Sequence, residues 1–347
     1  MKLQRGRQSL LLDHPVYIRG RGSIVGKKEG EGPLGKLFDQ VIEDPLFAME
    51  TWEEAESKFL RTAGELAIKK AGLSSEQIRY AFAGDLLGQL IATSFGMAPL
   101  HIPLFGLYGA CANIGSALSL GAMTVCAGYA DHVLALASSH FGSAEKQFRY
   151  PLEYGNQKPL SSTYTVTGSG AFVLSKEKPE PEPDTKQIKP VKITGITTGK
   201  IVDYGVRDAQ NMGGAMAPAA SHVIYQSFRD FSMSVRDYDK VVTGDLGEIG
   251  QTILLKLLKD NGLDISEIHL DCGMEIFDKE KQDTHCGGSG CACSASVLAA
   301  YLLKKLEEGE WKRVLFIPTG ALFSTVSFNE GKPVPGIAHG IILERED

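Results

Sequence analysis

GACANIGSALSLGAMTVCAGYADHVLALA, residues 109–137, carries the pattern on which the whole architecture rests. A turn of small residues, Gly109-Ala110-Cys111-Ala112, opens a segment, 114–126, built from small and apolar residues on every side. A helix of that kind belongs in the centre of a protein, because it has no face to offer water. The Gly128-Tyr129-Ala130-Asp131 step breaks the helix, and Val133 to Ala137 follows as an unbroken apolar run. Such a run predicts a strand covered on both faces, as in a sheet sandwiched by helices.

The pattern returns 181 residues later in GCACSASVLAAYLLKKLEEGEWKRVLFIPT, 290–319. That offset aligns Gly109 with Gly290, Gly128 with Gly309, and Val133-Leu134 with Val314-Leu315. Upstream, Phe82-Ala83-Gly84-Asp85-Leu86 recurs as Val242-Thr243-Gly244-Asp245-Leu246. Downstream, GAFVL at 170–174 recurs as GIILE at 340–344, each the last strand of its half. Near the midpoint lies KEKPEPEPDTKQIKP, 176–190, whose alternating Pro and Glu can neither pack into a core nor hold a helix. The chain therefore divides into an N-terminal half, 1–176, a connecting loop, 177–190, and a C-terminal half, 191–347. Each half predicts strand, helix, strand, buried helix, strand, connecting segment, strand. Amphipathic helices at 52–71 and 249–261 are stopped by Gly72 and Gly262. Two copies of a sheet, packed through a central layer of small helices, give a five-layer α/β arrangement.

The length, 347 residues, suits two domains or one duplicated unit with a large core. A net charge of -6 argues against a sequence-independent nucleic-acid binder. No Gly-x-Gly-x-x-Gly turn follows a strand and no P-loop is present. The six cysteines sit in apolar or Gly-rich settings, and Cys291-x-Cys293 has the wrong spacing for a redox or zinc pair. Reduced thiols, with no metal and no cofactor, are expected. The Leu10-Leu11-Leu12 run is too short for a signal-peptide core, and the apolar stretch 110–136 is interrupted by Asn113, glycines and Asp131. Any membrane role is expected to be peripheral.

A cysteine at the tip of the first buried helix, the Gly128-Tyr129-Ala130-Asp131 step and Gly168-Ser169-Gly170-Ala171 together resemble the thiolase superfamily, which includes the ketoacyl synthases. The resemblance implies a duplicated five-layer α-β-α-β-α fold. A closer resemblance is to the stage V sporulation protein AD family of endospore-forming bacteria. It is carried by EGPLGKLF (31–38), AGDLL (83–87), QFRYPLEYGNQKP (147–159), TVTGSGA (165–171), MGGAMAPAA (212–220) and GGSGCACS (287–294). This resemblance implies a noncatalytic binder of dipicolinic acid (pyridine-2,6-dicarboxylate) that serves dipicolinate uptake into the developing spore. It also implies membrane-embedded SpoVA-type partners and a peripheral position on the inner spore membrane, while the superfamily's pairing through central sheets implies a homodimer.

A thiol at a helix N-terminus meets unpaired N–H groups and the positive end of the dipole, which favours thiolate at Cys111. In the superfamily the resemblance points to, that cysteine accepts the acyl group. It is helped by a histidine and then a second histidine or an asparagine from the C-terminal half. This chain has Thr243-Gly244-Asp245-Leu246 and Gly288-Ser289-Gly290 where those residues are expected. An ionised Asp245 only accepts hydrogen bonds and cannot serve as an oxyanion donor. A binder is thus expected, with acyl condensation or transfer through Cys111 as the alternative. The candidate ligand-binding residues are Cys111, His140, Asp245 and Ser289. His140 ends a buried strand, where open α/β sheets gather their sites. The Ser289 hydroxyl lies at the second of two helix tips that the pseudo-symmetry brings together, and such tips bind anions. Asp245 is expected to line the pocket. His285 and His339 sit in loops of the C-terminal half and are weaker candidates. The segment Lys146 to Lys158 is expected at an interface or pocket mouth, and Asp208 to Ala220 is expected to be a loop over the substrate entrance.

Overall fold

The computed structural model describes residues 3–148, 159–179 and 188–347. Ten main strands build the architecture. In the N-terminal half they are β1 (Ser9–Gly26), β2 (Tyr80–Gly84), β3 (Leu104–Gly106), β4 (His132–Ser139) and β5 (Gly168–Ser175). In the C-terminal half they are β6 (Val191–Thr197), β7 (Lys240–Thr243), β8 (His269–Asp271), β9 (Arg313–Ile317) and β10 (Gly340–Arg345). The spatial orders are β3-β2-β4-β5-β1 and β8-β7-β9-β10-β6, so each half repeats the other strand for strand. The parallel and antiparallel pairings also repeat. The duplication read from sequence is a duplication of topology. The two sheets are not separate, however. The 18-residue β1 pairs with β5 through 17–25 and with β6 through 9–17. It thereby joins both halves, with two short strands paired to β1 itself, in one twelve-stranded sheet.

One detail of the sequence alignment is corrected. Val133 lies opposite Leu174, and Val314 opposite Leu343. The last strands are therefore one residue away from the pairing of GAFVL with GIILE. A slip of one residue exchanges the two faces of a strand. Phe172 and Leu174 face the centre of the molecule, as do Ile341 and Leu343. Apolar residues stand on both faces of these segments, so their letters carry no sign of which face is inward.

The helices complete five layers. Helix α1 (Trp52–Lys70) starts at a Thr51–Glu54 capping box and covers the outer face of the N-terminal sheet, against Leu134, Leu136 and Val173. Helices α2 (Asn113–Cys126) and α6 (Cys291–Val297) share the central core with Val133, Phe172, Val314 and Phe316. Helices α4 (Met212–Asp230) and α5 (Gly247–Asp260) cover the outer face of the C-terminal sheet, against Leu315, Ile317 and Ile342. A shorter helix, α3 (Phe141–Phe148), follows β4. Close approach fixes the central layer. A Cβ on Gly170 would lie 2.4 Å from the carbonyl of Ala295, so β5 accepts α6 only with glycine there.

The stretch 208–220, expected as a loop, is mostly the first half of α4. Asn211 caps it by accepting from the Gly214 N–H at 3.0 Å. Its glycines and alanines serve contact rather than flexibility: a Cβ on Gly213 would meet the Leu246 carbonyl at 2.2 Å. Of the connecting loop, 180–187 lies outside the described residues, as does 149–158 of the segment expected at the pocket mouth.

Candidate ligand cavity at the two helix tips

The turn before α2 is held in an uncommon backbone state. Ala110 has φ of +49°, a left-handed conformation that costs an alanine free energy and persists only where its surroundings impose it. Asn113 imposes it. Its Oδ1 accepts from the Gly109 N–H at 2.5 Å, and its Nδ2 donates to the Asp85 carbonyl at 2.9 Å. The turn presents Cys111 just ahead of the helix cap at Ala112, 7% exposed, at the wall of a cavity of about 40 Å³. Leu86, Tyr108, Met212, Ser289 and Phe323 are among the other walls.

Asp245 lies behind the thiol rather than in the cavity wall. Its carboxylate accepts from the Gly290 N–H at 3.0 Å and from the Thr319 hydroxyl at 2.8 Å. Burial pushes its pKa up from 3.8 to about 7, against the pull of those donors. Burial also pushes the Cys111 thiol well above its usual range, and the negative charge of Asp245 adds to this. The helix-tip expectation of a favoured thiolate is thus reversed. The Gly290 N–H does favour the anion, but desolvation and a neighbouring carboxylate outweigh it.

The pseudo-symmetry breaks at this point, and the break explains why Asp245 is available. In the N-terminal half Asp85 closes its own turn, accepting from the N–H groups of Leu87 and Thr93, each at 2.7 Å. In the C-terminal half that work falls to Asp271, which accepts from Leu246 at 2.9 Å and from Gly247 at 3.1 Å. Asp245 is released to reach across to the other helix tip. The mirror position of Cys111 is Ala292, while Cys291 lies fully buried and donates to the Ala110 carbonyl at 3.1 Å.

Of the four residues selected from sequence, Cys111 and Ser289 share the cavity and Asp245 supports it. His140 does not join them. It lines a second cavity, and both its ring nitrogens are occupied. Nδ1 accepts from the Gly142 N–H at 3.0 Å, so Nε2 carries the proton and donates to the Pro45 carbonyl at 2.8 Å. Burial lowers its pKa, keeping it neutral, and its role in this structure is to fix the β4–α3 corner. His285 bonds the Pro159 carbonyl at 2.8 Å, and His339 accepts from the Gly199 N–H at 3.3 Å; neither lines the cavity. Among the described lining residues there is no histidine, lysine or arginine. Sequence reasoning missed Tyr108, Glu145 and Phe323, which come from three separate segments. Only Tyr108 left a trace, as the residue directly before the Gly109 turn.

Solved structures share this architecture. Cerulenin-bound OleA of Xanthomonas campestris superposes with a TM-score of 0.60 at 14% identity, covering 96% of this chain and 100% of OleA. ChlB3, an acyltransferase, gives 0.58 at 14% identity, covering 95% and 98%. Likeness at that identity is likeness of fold. Fold and cavity together define a thiolase-fold protein whose helix-tip cysteine faces a carboxylate. The family model for stage V sporulation protein AD (SpoVAD) matches residues 6–344. Stage V sporulation protein AD of Bacillus subtilis (strain 168) is 39% identical over 345 residues, 99% of this chain and 98% of that protein. The chain belongs to the stage V sporulation protein AD family. Among the described residues, no helix is long and apolar enough to cross a membrane.

Proposed function

We propose that this sporulation protein is a noncatalytic dipicolinate-binding subunit for dipicolinate uptake into the developing spore. The observation that carries the noncatalytic part is the pairing of Cys111 with Asp245. A condensing enzyme needs a thiolate beside an imidazole; here no histidine lines the described cavity wall, and burial beside a carboxylate opposes ionisation of the thiol. The ligand comes from the family resemblance. Titration calorimetry of the purified chain with dipicolinate should give saturable binding. Absence of binding, together with binding of acyl thioesters, would sink this reading. Acyl transfer through Cys111 is the second reading, favoured by the thiol at the cavity wall. An acylated Cys111 in the mass spectrum after incubation with acyl-CoA would establish it.

We further propose a homodimer that sits peripherally on the inner spore membrane with membrane-embedded SpoVA-type partners. Strand β3 ends the sheet and leaves one row of backbone groups for a second copy. Around it Phe105 is 51% exposed and Phe95 68%, an apolar edge that a two-fold contact would cover. Sedimentation of Phe105→Lys should show the dimer weakened at least tenfold. An unmodified chain that stays monomeric at tens of micromolar removes the dimer.

A further inference from the structure

Glu56 is a fully buried acid of α1 that meets two serines, one on β4 and one on α3. Ser138 Oγ lies 3.1 Å from its Oε1, and Ser143 Oγ lies 2.6 Å from its Oε2. Ser143 Oγ is also 3.1 Å from the His140 carbonyl, which accepts the Ala144 N–H at 3.0 Å as well. A serine hydroxyl has one hydrogen to give, so it cannot serve a carboxylate and a carbonyl together. Both contacts are satisfied when Glu56 carries a proton. Its O–H then donates to Ser143 Oγ, and the Ser143 hydrogen goes to the His140 carbonyl. In that form α1, α3 and the β4–α3 corner share one chain of hydrogen bonds.

The surroundings favour that proton. Asp85 approaches from the turn after β2, Glu53 from α1 and Cys291 from α6, and none of these is a cation. His140 is neutral with both ring nitrogens in hydrogen bonds. On α3, Lys146 pairs with Glu53 at 2.7 Å, and Glu145 lines the cavities. Burial and the Asp85 charge together push Glu56 up to about 8. An ionised Glu56 would take the Ser143 hydrogen from the His140 carbonyl. With two hydroxyls among the described residues to solvate it, it would also draw water in. Helix α1 runs for 19 residues and β4 lies inside the twelve-stranded sheet, whereas α3 has 8 residues. The short helix gives way first. Its Ala144, Glu145 and Phe148 stand in the wall of the Cys111 cavity.

We propose that a proton on Glu56 latches α3 against α1 and so fixes the wall of the Cys111 cavity, and that its loss to solvent loosens both. Glu56 is a positioning residue for the cavity, acting through Ser143, whatever ligand the cavity takes.

Hydrogen exchange of the full chain, read by mass spectrometry on peptides spanning 141–148 and 52–70, tests the latch. In Glu56→Gln the Nε2 group donates to Ser143 Oγ at any pH, so the link stays and the titration goes. Comparing that variant with the unmodified chain at the same pH cancels the intrinsic pH dependence of exchange. For 141–148 the two should agree within about twofold at pH 6, and the unmodified chain should exchange about tenfold faster at pH 9. The midpoint should fall at about pH 8. Peptide 52–70 should stay within about twofold throughout. Ser143→Ala lacks the link and should show the fast rate already at pH 6. Should Glu56→Gln fail to fold, Ser143→Ala carries the test: the unmodified chain should be about tenfold slower than it at pH 6 and converge with it at pH 9. A ratio for 141–148 that is the same at pH 6 and pH 9 overturns the latch. Equal loosening of 52–70 overturns it too, because the ionised carboxylate would then loosen α1 as much as α3.

Discussion

The protein should melt at a higher temperature at pH 6 than at pH 8.5, by roughly 5 °C. Four buried acids set this direction. Burial raises Asp245 from 3.8 to about 7 and Glu29 from 4.5 to about 7. Glu56 and Asp85 are buried near each other, and burial raises both; the charge of Asp85 raises Glu56 further. Glu56 is fully enclosed and, among the described residues, receives the hydroxyls of Ser138 at 3.1 Å and Ser143 at 2.6 Å. Each folded pKa lies above its unfolded one, so between the two values only the folded state holds the proton. Their stabilisation is therefore fully present below the ordinary carboxylate range and is lost as the pH climbs through about 7 and above. Taken together, the loss between pH 6 and 8.5 is on the order of 4 kcal/mol.

Buried histidines act in the opposite sense at the acid end. His269 and His339 are both lowered from 6.5 to about 4 by burial. Their contribution is present above 6.5 and lost as the pH falls towards 4, so the gain from the acids levels off below about pH 6. Glu56→Gln removes the largest single contribution and should flatten the alkaline limb. A melting temperature that rises from pH 6 to 8.5 would show that these acids are ionised in the folded protein.

Removing the charge behind Cys111 should expose the thiol chemistry that Asp245 suppresses. In Asp245→Asn the carboxylate that opposes ionisation is gone, while the Gly290 N–H, which favours the anion, remains. Loss of a like charge at contact lowers a pKa by about 1–3 units. Intrinsic nucleophilicity falls with the pKa, so roughly half of that gain survives in the rate. Methyl methanethiosulfonate at pH 7.5 should modify Cys111 about 3–30 times faster in Asp245→Asn, with the pH profile of the rate moved to lower pH. Peptide mapping separates Cys111 from the other cysteines. An unchanged rate and profile would mean that burial alone holds the proton, and Asp245 would then be a brace for Gly290 and Thr319.

The duplication, the class of fold and the helix tip that carries Cys111 are all legible in the amino-acid string. They rest on local signals: small residues at 109–126, unbroken apolar strands, and Gly-Asp-Leu turns repeated in both halves. Apolar periodicity and glycine positions act over a few residues, so they survive without the third dimension. Other features depend on the assembled chain. Strand β10 takes its register from which side chains reach the centre, and a strand apolar on both faces carries no such mark. Met212–Ala220 is helix because α5 lies against its glycines, a contact between segments far apart in the chain. Cys111 loses its thiolate character because water is excluded from it and because Asp245, from the other half, lies beside it. His140 goes from candidate ligand to corner brace because the folded chain sets its ring against the Gly142 N–H and the Pro45 carbonyl, outside the cavity of Cys111. Proton affinity and cavity volume depend on what the whole chain excludes, and no short stretch of residues encodes that.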